Sequence, residues 1–222
     1  MRLNARARRL QPSSVRAVIF DWDGTLLDSY NADTSAYREM FRALGINWGA
    51  RELRKHYSPN WHRVYRAAGI PARRWEEADR LWQHHYQRHS PDLMPGARQV
   101  LKRLAHHYIL ALVTSGNRKR VRGQLRRLGL TRLFAATVCA EDARHRKPHP
   151  APLKVALQQL ELSPKLCAYV GDSPEDIEMA RRAGVRAVAV LGPFPNRRRL
   201  RAAGADALLN SLKQLPDLLA IR

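Results

Sequence analysis

Carboxylate, hydroxyl and lysine side chains follow apolar runs at four places in the 222-residue sequence. The four places are Asp21-Trp22-Asp23-Gly24, Thr114-Ser115-Gly116-Asn117, a loop that holds Lys147, and Gly171-Asp172-Ser173-Pro174-Glu175-Asp176. Carboxylates gathered in one crevice repel one another, and a hard divalent cation such as Mg²⁺, which prefers oxygen ligands, offsets that repulsion. Such a site suits an anionic, oxygen-rich substrate such as a phosphate ester. The histidines and cysteines do not show the spacing of a zinc site.

Predicted strands must bring these groups together. The β-branched, apolar run 15–20 predicts a buried strand that ends at Asp21. From residue 97 onward, predicted helices alternate with predicted strands at 108–113, 136–139, 166–170, 187–190 and 207–209, and a last helix is expected near 211–219. This alternation predicts an α/β fold, a three-layer α/β/α Rossmann-like core with a parallel sheet. Polar groups at the carboxyl ends of such strands face one crevice.

A helical block interrupts the alternation. Strand-like runs are absent between residues 31 and 90, where helices are predicted at 32–44, 50–57, 61–68 and 72–88, separated by glycine and proline breakers. We therefore predict three parts: a basic N-terminal tail (1–12), a core made of 13–30 and 91–222, and an inserted α-helical domain (31–90).

The chain is strongly basic, with 40 Lys and Arg residues against 19 Asp and Glu residues and a net charge of +21. One interpretation is an anionic partner, such as nucleic acid or a phosphorylated substrate. The other is a functionally neutral surface, because the basic residues are spread along the whole chain. Apolar runs stay well short of the roughly 18 residues that span a bilayer, and no apolar segment typical of a secretory signal follows the N-terminus. We expect a cytoplasmic protein without a membrane partner, and its oligomeric state stays open.

Taken in order, the four polar sites resemble the motifs of the haloacid dehalogenase-like (HAD) hydrolase superfamily, in its phosphoglycolate phosphatase-like branch. The matching stretches are Asp21–Ser29, Val113-Thr114-Ser115, Lys147 with Pro148-His149-Pro150, and Gly171–Asp176. Each motif alone is weakly or moderately specific, but four in order, each after a predicted strand, are much more so. The resemblance covers about residues 15–219 and implies that block 31–90 is a cap domain that shapes the substrate pocket.

The resemblance also implies roles for the matching residues in phosphoryl transfer. Asp21 would attack phosphorus and form an aspartyl-phosphate. Asp23 would protonate the leaving oxygen and then deprotonate the attacking water. The phosphoryl group would be bound by Thr114, Ser115, Gly116 and Lys147.

A magnesium ion is the cofactor that the resemblance implies. Its ligands would be Asp21, Asp172 and the backbone carbonyl of Asp23. Asp176 would orient Lys147 or a ligand, directly or through water.

The predicted function is hydrolysis of a phosphate monoester of a small metabolite, with 2-phosphoglycolate and sugar phosphates as leading candidates. Asp23 favours a phosphatase, because dehalogenating and phosphonate-cleaving relatives lack an acid at that position. Phosphosugar mutase relatives keep both aspartates, so a mutase stays an alternative, as does a nucleic-acid-binding or nucleic-acid-processing protein of the same fold. In the predicted cap, Asn60, Trp61, His62 or Arg63 is expected to reach the leaving group, and the alternative is packing between helices.

Overall fold

A computed structural model describes residues 15–193 and 196–220. The described residues contain a six-stranded sheet in which every neighbouring pair is parallel, in the order β3-β2-β1-β4-β5-β6. The strands are β1 (Ala17–Phe20), β2 (Ile109–Val113), β3 (Ala136–Val138), β4 (Cys167–Gly171), β5 (Arg186–Val190) and β6 (Ala207–Leu209). The direction of winding reverses between β1 and β4, the place where ligands bind in open sheets of this kind. The predicted tail, residues 1–12, lies outside the described residues.

The carboxyl ends of the three central strands are level with one another. Phe20 of β1 is paired with Leu112 of β2 on one side and with Val170 of β4 on the other. Because this register is shared, the segments that begin at Asp21 and Thr114 leave the sheet at the same edge. Asp172 follows β4 at that edge as well.

Residues Leu27–Asp92 form a compact helical unit, and the other described residues form a second unit around the sheet. The helices of the first unit are α1 (Tyr30–Ala43), α2 (Ala50–His56), α3 (Trp61–Ala67) and α4 (Trp75–Tyr86). Its core is aromatic, and Phe41 and Tyr65 are buried in it. Helices α1 and α4 pack together, and Trp82 Nε1 donates a hydrogen bond to Asp33 Oδ1 at 3.1 Å.

Helices cover the sheet of the second unit. They are α5 (Ala97–Ala105), α6 (Arg118–Arg127), α7 (Ala151–Leu160), α8 (Pro174–Arg182), α9 (Arg197–Ala202) and α10 (Leu215–Leu218). Helix α7 packs on β2 and β3, and α8 packs on β4 and β5. These helices share an apolar cluster with Ala17 and Ile19 of β1. Val18 and Phe20 point to the opposite face, since side chains alternate along a strand, and they are fully buried too. The predicted three-layer α/β/α core is confirmed.

Two predicted helices differ from the observed ones. The segment predicted as a helix at 72–88 begins with a 3₁₀ turn, Ala72–Arg74, before α4. The last helix, predicted near 211–219, is a 3₁₀ turn at Leu212–Gln214 followed by the short α10. Pro216 explains the second difference, because proline lacks the backbone N–H that a helix interior requires and is tolerated in the first turn. Among the described helices, none combines the length and apolar character needed to span a membrane.

Candidate active site

Asp21, the predicted nucleophile, lies directly after β1 and is fixed by its neighbours. Its backbone N–H donates to the carbonyl of Val170 at 2.9 Å, which continues the pairing of β1 with β4. Its side chain is buried, and Lys147 Nζ donates to Asp21 Oδ1 at 2.5 Å. Burial raises the pKa of Asp21 to about 7, although the positive charge of Lys147 opposes this shift.

Lys147 is a fully buried ammonium group held between two carboxylates. It donates to Asp21 and, at 2.7 Å, to Asp176 Oδ1. Its Nζ also lies 5.5 Å from the centroid of the Tyr169 ring. Burial alone would lower the pKa of Lys147, but the charges of Asp176 and Asp21 outweigh burial and raise it above its ordinary value. The two carboxylates therefore favour the charged form of Lys147 at this edge of the sheet.

Asp176 is fixed by the first turn of α8. Ser173 Oγ accepts the Asp176 N–H at 3.1 Å, and the Ser173 N–H donates to Asp176 Oδ2 at 3.1 Å, which forms a capping box. Ser173 Oγ also lies 2.6 Å from Asp176 Oδ2. The other oxygen, Oδ1, lies 2.9 Å from Tyr169 Oη and accepts from Lys147. The helix start thus holds Asp176, and Asp176 in turn holds Lys147.

Three buried carboxylates form a cluster that fits a divalent cation. One oxygen from each of Asp21, Asp172 and Asp176 lies within 4.8 Å of the others. Burial, followed by the charges of Asp21 and Asp176, raises the pKa of Asp172 well above its ordinary value. A cation beside Asp172 would offset this crowding of negative charge. The cluster offers oxygen atoms alone, the ligands that hard divalent ions prefer.

Two glycines make room for the Asp172 carboxylate. A Cβ atom at Gly24 would lie 2.6 Å from Asp172 Oδ2, and one at Gly192 would lie 2.4 Å from the same oxygen. Gly24 also has a φ angle of +80°, a backbone conformation that residues other than glycine rarely adopt. Thr25, the next residue, donates its hydroxyl to Asp172 Oδ1 at 3.1 Å. The turn after β1 is therefore shaped around a carboxylate that follows β4.

Thr114 and Ser115, two predicted phosphate-binding residues, lie on the same side of the site as Lys147. All three line one pocket, which His145 and Arg146 also line. Thr114 Oγ1 accepts the Gly116 N–H at 3.0 Å, so the hydroxyl proton of Thr114 can be donated to a bound anion. The predicted contact of the Gly116 N–H with a phosphoryl group stays a prediction.

Asp23 is paired with an arginine that the sequence did not single out. Arg120 Nη1 donates to Asp23 Oδ1 at 2.9 Å, and Nη2 donates to Oδ2 at 2.6 Å. Arg120 lies in the first turn of α6, where its N–H donates to the side chain of Asn117 at 2.9 Å. The carboxylate of Asp23 thus has a charged partner of its own and is not one of the three carboxylates of the cluster.

The four residues predicted to select the substrate lie at the start of α3, in the helical unit. Asn60 precedes the helix, and its N–H donates to Ser58 Oγ at 3.2 Å. The ring of His62 stacks on that of Trp75, with 4.3 Å between the centroids, and Trp61 meets His62 edge to face. The N–H of Arg63 donates to the Asn60 carbonyl. The predicted role of these residues in selectivity stays a prediction.

Thr25, Arg120 and Tyr169 are among the residues whose contacts in the site were not predicted from the sequence. Thr25 belongs to the first motif and Tyr169 to the strand before the fourth, so both were close to predicted residues. For Arg120 the available signal was its place three residues after the N-cap residue Asn117, on the helix that follows the second motif.

Known proteins resemble this chain over nearly its whole length. The profile of the haloacid dehalogenase-like hydrolase family matches residues 18–190. The chain is 31% identical over 217 residues to a phosphoglycolate phosphatase of Chromobacterium violaceum, covering 92% of this chain and 96% of that protein. It is 26% identical over 209 residues to the pyrophosphatase PpaX of Oceanobacillus iheyensis, covering 91% and 95%. A solved structure of a hydrolase from Pseudomonas syringae matches with a TM-score of 0.82 and 25% identity, covering 93% of this chain and 99% of that chain.

This chain belongs to the haloacid dehalogenase-like hydrolases, since the family profile covers most of it. The predicted family, the fold class and the assignment as a hydrolase with phosphatase relatives are confirmed. The family membership agrees with the buried carboxylate cluster, which fits a divalent metal.

Proposed function

We propose that this chain is a Mg²⁺-dependent phosphatase that hydrolyses the phosphate monoester of a small metabolite through an aspartyl-phosphate on Asp21. The observation that carries the proposal is the buried arrangement in which Lys147 bridges Asp21 and Asp176, with Asp172 in the same cluster. A relative at 31% identity is a phosphoglycolate phosphatase, so 2-phosphoglycolate is the first substrate to test. Sugar phosphates follow, and inorganic pyrophosphate is a further candidate because of the pyrophosphatase relatives.

In the first half of the proposed reaction, a carboxylate oxygen of Asp21 attacks phosphorus. The bond between phosphorus and the leaving oxygen breaks, and Asp23 gives that oxygen a proton. Lys147 stabilises negative charge on the phosphoryl oxygens, and Thr114 donates its hydroxyl to one of them. Asp176 keeps Lys147 in place through the 2.7 Å bond.

In the second half, water attacks the phosphorus of the aspartyl-phosphate. Asp23, now ionised, takes a proton from this water, and the bond between phosphorus and Asp21 breaks. Inorganic phosphate leaves, and both aspartates return to their starting states, so no other reactant is needed.

The carboxylates of Asp21 and Asp172 and the backbone carbonyl of Asp23 are the groups that would hold Mg²⁺. When bound, the ion supplies positive charge that neutralises the phosphoryl oxygens. Selection among substrates is assigned to the helical unit, through Asn60, Trp61, His62 or Arg63. Single replacements of His62 and Arg63 by alanine, followed by a profile of phosphorylated metabolites, test this assignment, and an unchanged profile would contradict it.

The direct test of the proposed function is the variant Asp21→Asn. It should abolish the Mg²⁺-dependent release of phosphate from p-nitrophenyl phosphate and from 2-phosphoglycolate while the circular dichroism spectrum stays unchanged. Asp217→Asn, at an exposed position of α10, is the matched control and should retain full activity. Phosphate release by Asp21→Asn at the wild-type rate would overturn the mechanism. A sugar phosphate converted to its isomer without phosphate release would instead identify a mutase.

A further inference from the structure

We propose that Arg120 is a positioning residue, whose guanidinium holds the Asp23 carboxylate in the orientation from which it takes a proton from the attacking water. This inference rests on the proposed function and extends it to a residue outside the four motifs. It assigns a task to one arginine of α6 and leaves the other basic residues of that helix without one.

The geometry of the pair supports a positioning role. Two parallel N–H donors meet the two oxygens of one carboxylate, at 2.9 and 2.6 Å, and such a fork fixes direction as well as distance. The side chains are 13% exposed for Arg120 and 24% exposed for Asp23, so the pair lies near the surface of its unit. A carboxylate has about four acceptor sites, and the fork uses two of them. The fork therefore restricts the rotation of the Asp23 carboxylate.

The neighbours of Arg120 restrict the guanidinium in turn. Gln124 lies one helical turn further along α6, and its Oε1 is 3.4 Å from Arg120 Nη1. The same oxygen accepts from the indole Nε1 of Trp22 at 2.8 Å. Trp22 is fully buried and directly precedes Asp23 in the chain. A closed ring of contacts thus joins Trp22, Gln124, Arg120 and Asp23.

Gly116 provides the space that the guanidinium occupies. A Cβ atom there would lie 2.4 Å from Arg120 Nη2. The turn after β2 and the first turn of α6 therefore approach closely enough to leave room for Arg120 and for little else. An ion pair at the surface that serves stability alone contributes about 1 kcal/mol or less, whereas this pair is partly buried and occupies a space that a glycine leaves open.

The two halves of the reaction respond differently to a residue that acts through Asp23. With 2,4-dinitrophenyl phosphate the leaving group departs without a proton, so formation of the aspartyl-phosphate does not depend on Asp23. Hydrolysis of the aspartyl-phosphate still requires Asp23 as proton acceptor. A residue that binds substrate, or that merely supports the fold, would affect both halves.

The experiment is rapid-mixing kinetics of dinitrophenolate release by Arg120→Met and Arg120→Lys, with Mg²⁺ present. We expect a burst of one dinitrophenolate per enzyme at a rate close to wild type. Steady-state turnover should fall about 100-fold for methionine and about tenfold for lysine, which keeps the charge but not the fork. Arg122→Met, at an exposed position of the same helix, is the matched control and should turn over like wild type.

A double-mutant cycle completes the test. If Arg120 acts through Asp23, adding Arg120→Met to Asp23→Asn should change turnover by less than twofold. A burst that slows in parallel with turnover, turnover that stays unchanged, or additive effects in the cycle would each overturn the proposal. A wild-type protein that releases no phosphate from any tested ester would instead overturn the proposed function, so the two failures are distinguishable.

Discussion

Asp21 and Asp23 are two residues apart after β1, but their carboxylates have different surroundings. Asp21 is buried with Lys147, which it shares with Asp176, and burial raises the pKa of Asp21 to about 7. Asp23 is bound by Arg120 nearer the surface of the unit. The buried residues Asp21, Lys147, Asp172 and Asp176 form an inner group, and Asp23 with Arg120 forms an outer pair. The inner group cannot lose its lysine without leaving a buried charge uncompensated. The outer pair is less buried, with side chains that are 13% exposed for Arg120 and 24% exposed for Asp23. Lys147 thus holds the site together, whereas Arg120 orients one reacting group.

Removal of the inner cation should have the largest effect. Lys147→Met leaves the carboxylates of Asp21 and Asp176 buried without their shared partner. We expect the free energy of unfolding to fall by about 3–5 kcal/mol, measured by urea denaturation, and phosphate release to be lost. Lys165→Met, at an exposed position, is the control and should change neither quantity. Wild-type stability in Lys147→Met would show that the inner group is not held by its charges.

The next largest effect concerns Asp172, the residue of the inner group whose carboxylate would bind the metal. Asp172→Asn removes one of three crowded carboxyl groups, while an amide oxygen can still accept from Thr25. In EDTA the variant should unfold at the wild-type temperature or above it. Mg²⁺ at 100 times its dissociation constant should stabilise wild type by about 2.7 kcal/mol and the variant hardly at all. The unfolding of both proteins is measured by calorimetry with and without Mg²⁺. Equal stabilisation of the two proteins by Mg²⁺ would exclude Asp172 as a ligand. Asp217→Asn is the control for a change of charge.

Sequence reasoning found the inner group more readily than the outer one, for a physical reason. Asp21, Thr114 and Asp172 each follow an apolar strand, and parallel strands bring their carboxyl ends to one edge of a sheet. Arg120 lies in the segment RKRVRGQLRR of α6, where most residues are basic. Which of these arginines faces Asp23 depends on the rotation of α6 relative to the sheet and on the space at Gly116, and neither is encoded in a local pattern. The last helix was mispredicted because a proline in the first turn and a proline in the interior look alike in sequence.

A smaller effect is expected when the outer pair is displaced without changing either partner. In Gly116→Ala the new Cβ would lie 2.4 Å from Arg120 Nη2 and 2.8 Å from Val121 Cγ2. The guanidinium is the flexible group that can move, whereas Val121 is fully buried. We expect turnover of 2,4-dinitrophenyl phosphate to fall about tenfold, as for Arg120→Lys, with the burst retained. Gly123→Ala, where a Cβ would meet nothing within 4 Å, is the matched control. Loss of the burst in Gly116→Ala would indicate that the substitution disturbs Thr114 instead, since Gly116 donates to its hydroxyl.

The smallest effect on turnover should come from Trp22, which lies opposite Arg120 in the ring of contacts. Trp22→Phe keeps an aromatic ring in the buried space but removes the N–H that donates to Gln124. We expect the free energy of unfolding to fall by about 1–3 kcal/mol and turnover to fall less than threefold, because Arg120 retains both bonds to Asp23. Gln124→Leu removes the acceptor of the same hydrogen bond and should also lower turnover. If Trp22→Phe slowed turnover as strongly as Arg120→Met, orientation of Asp23 would depend on the packing of the segment after β1, and the guanidinium fork would be secondary.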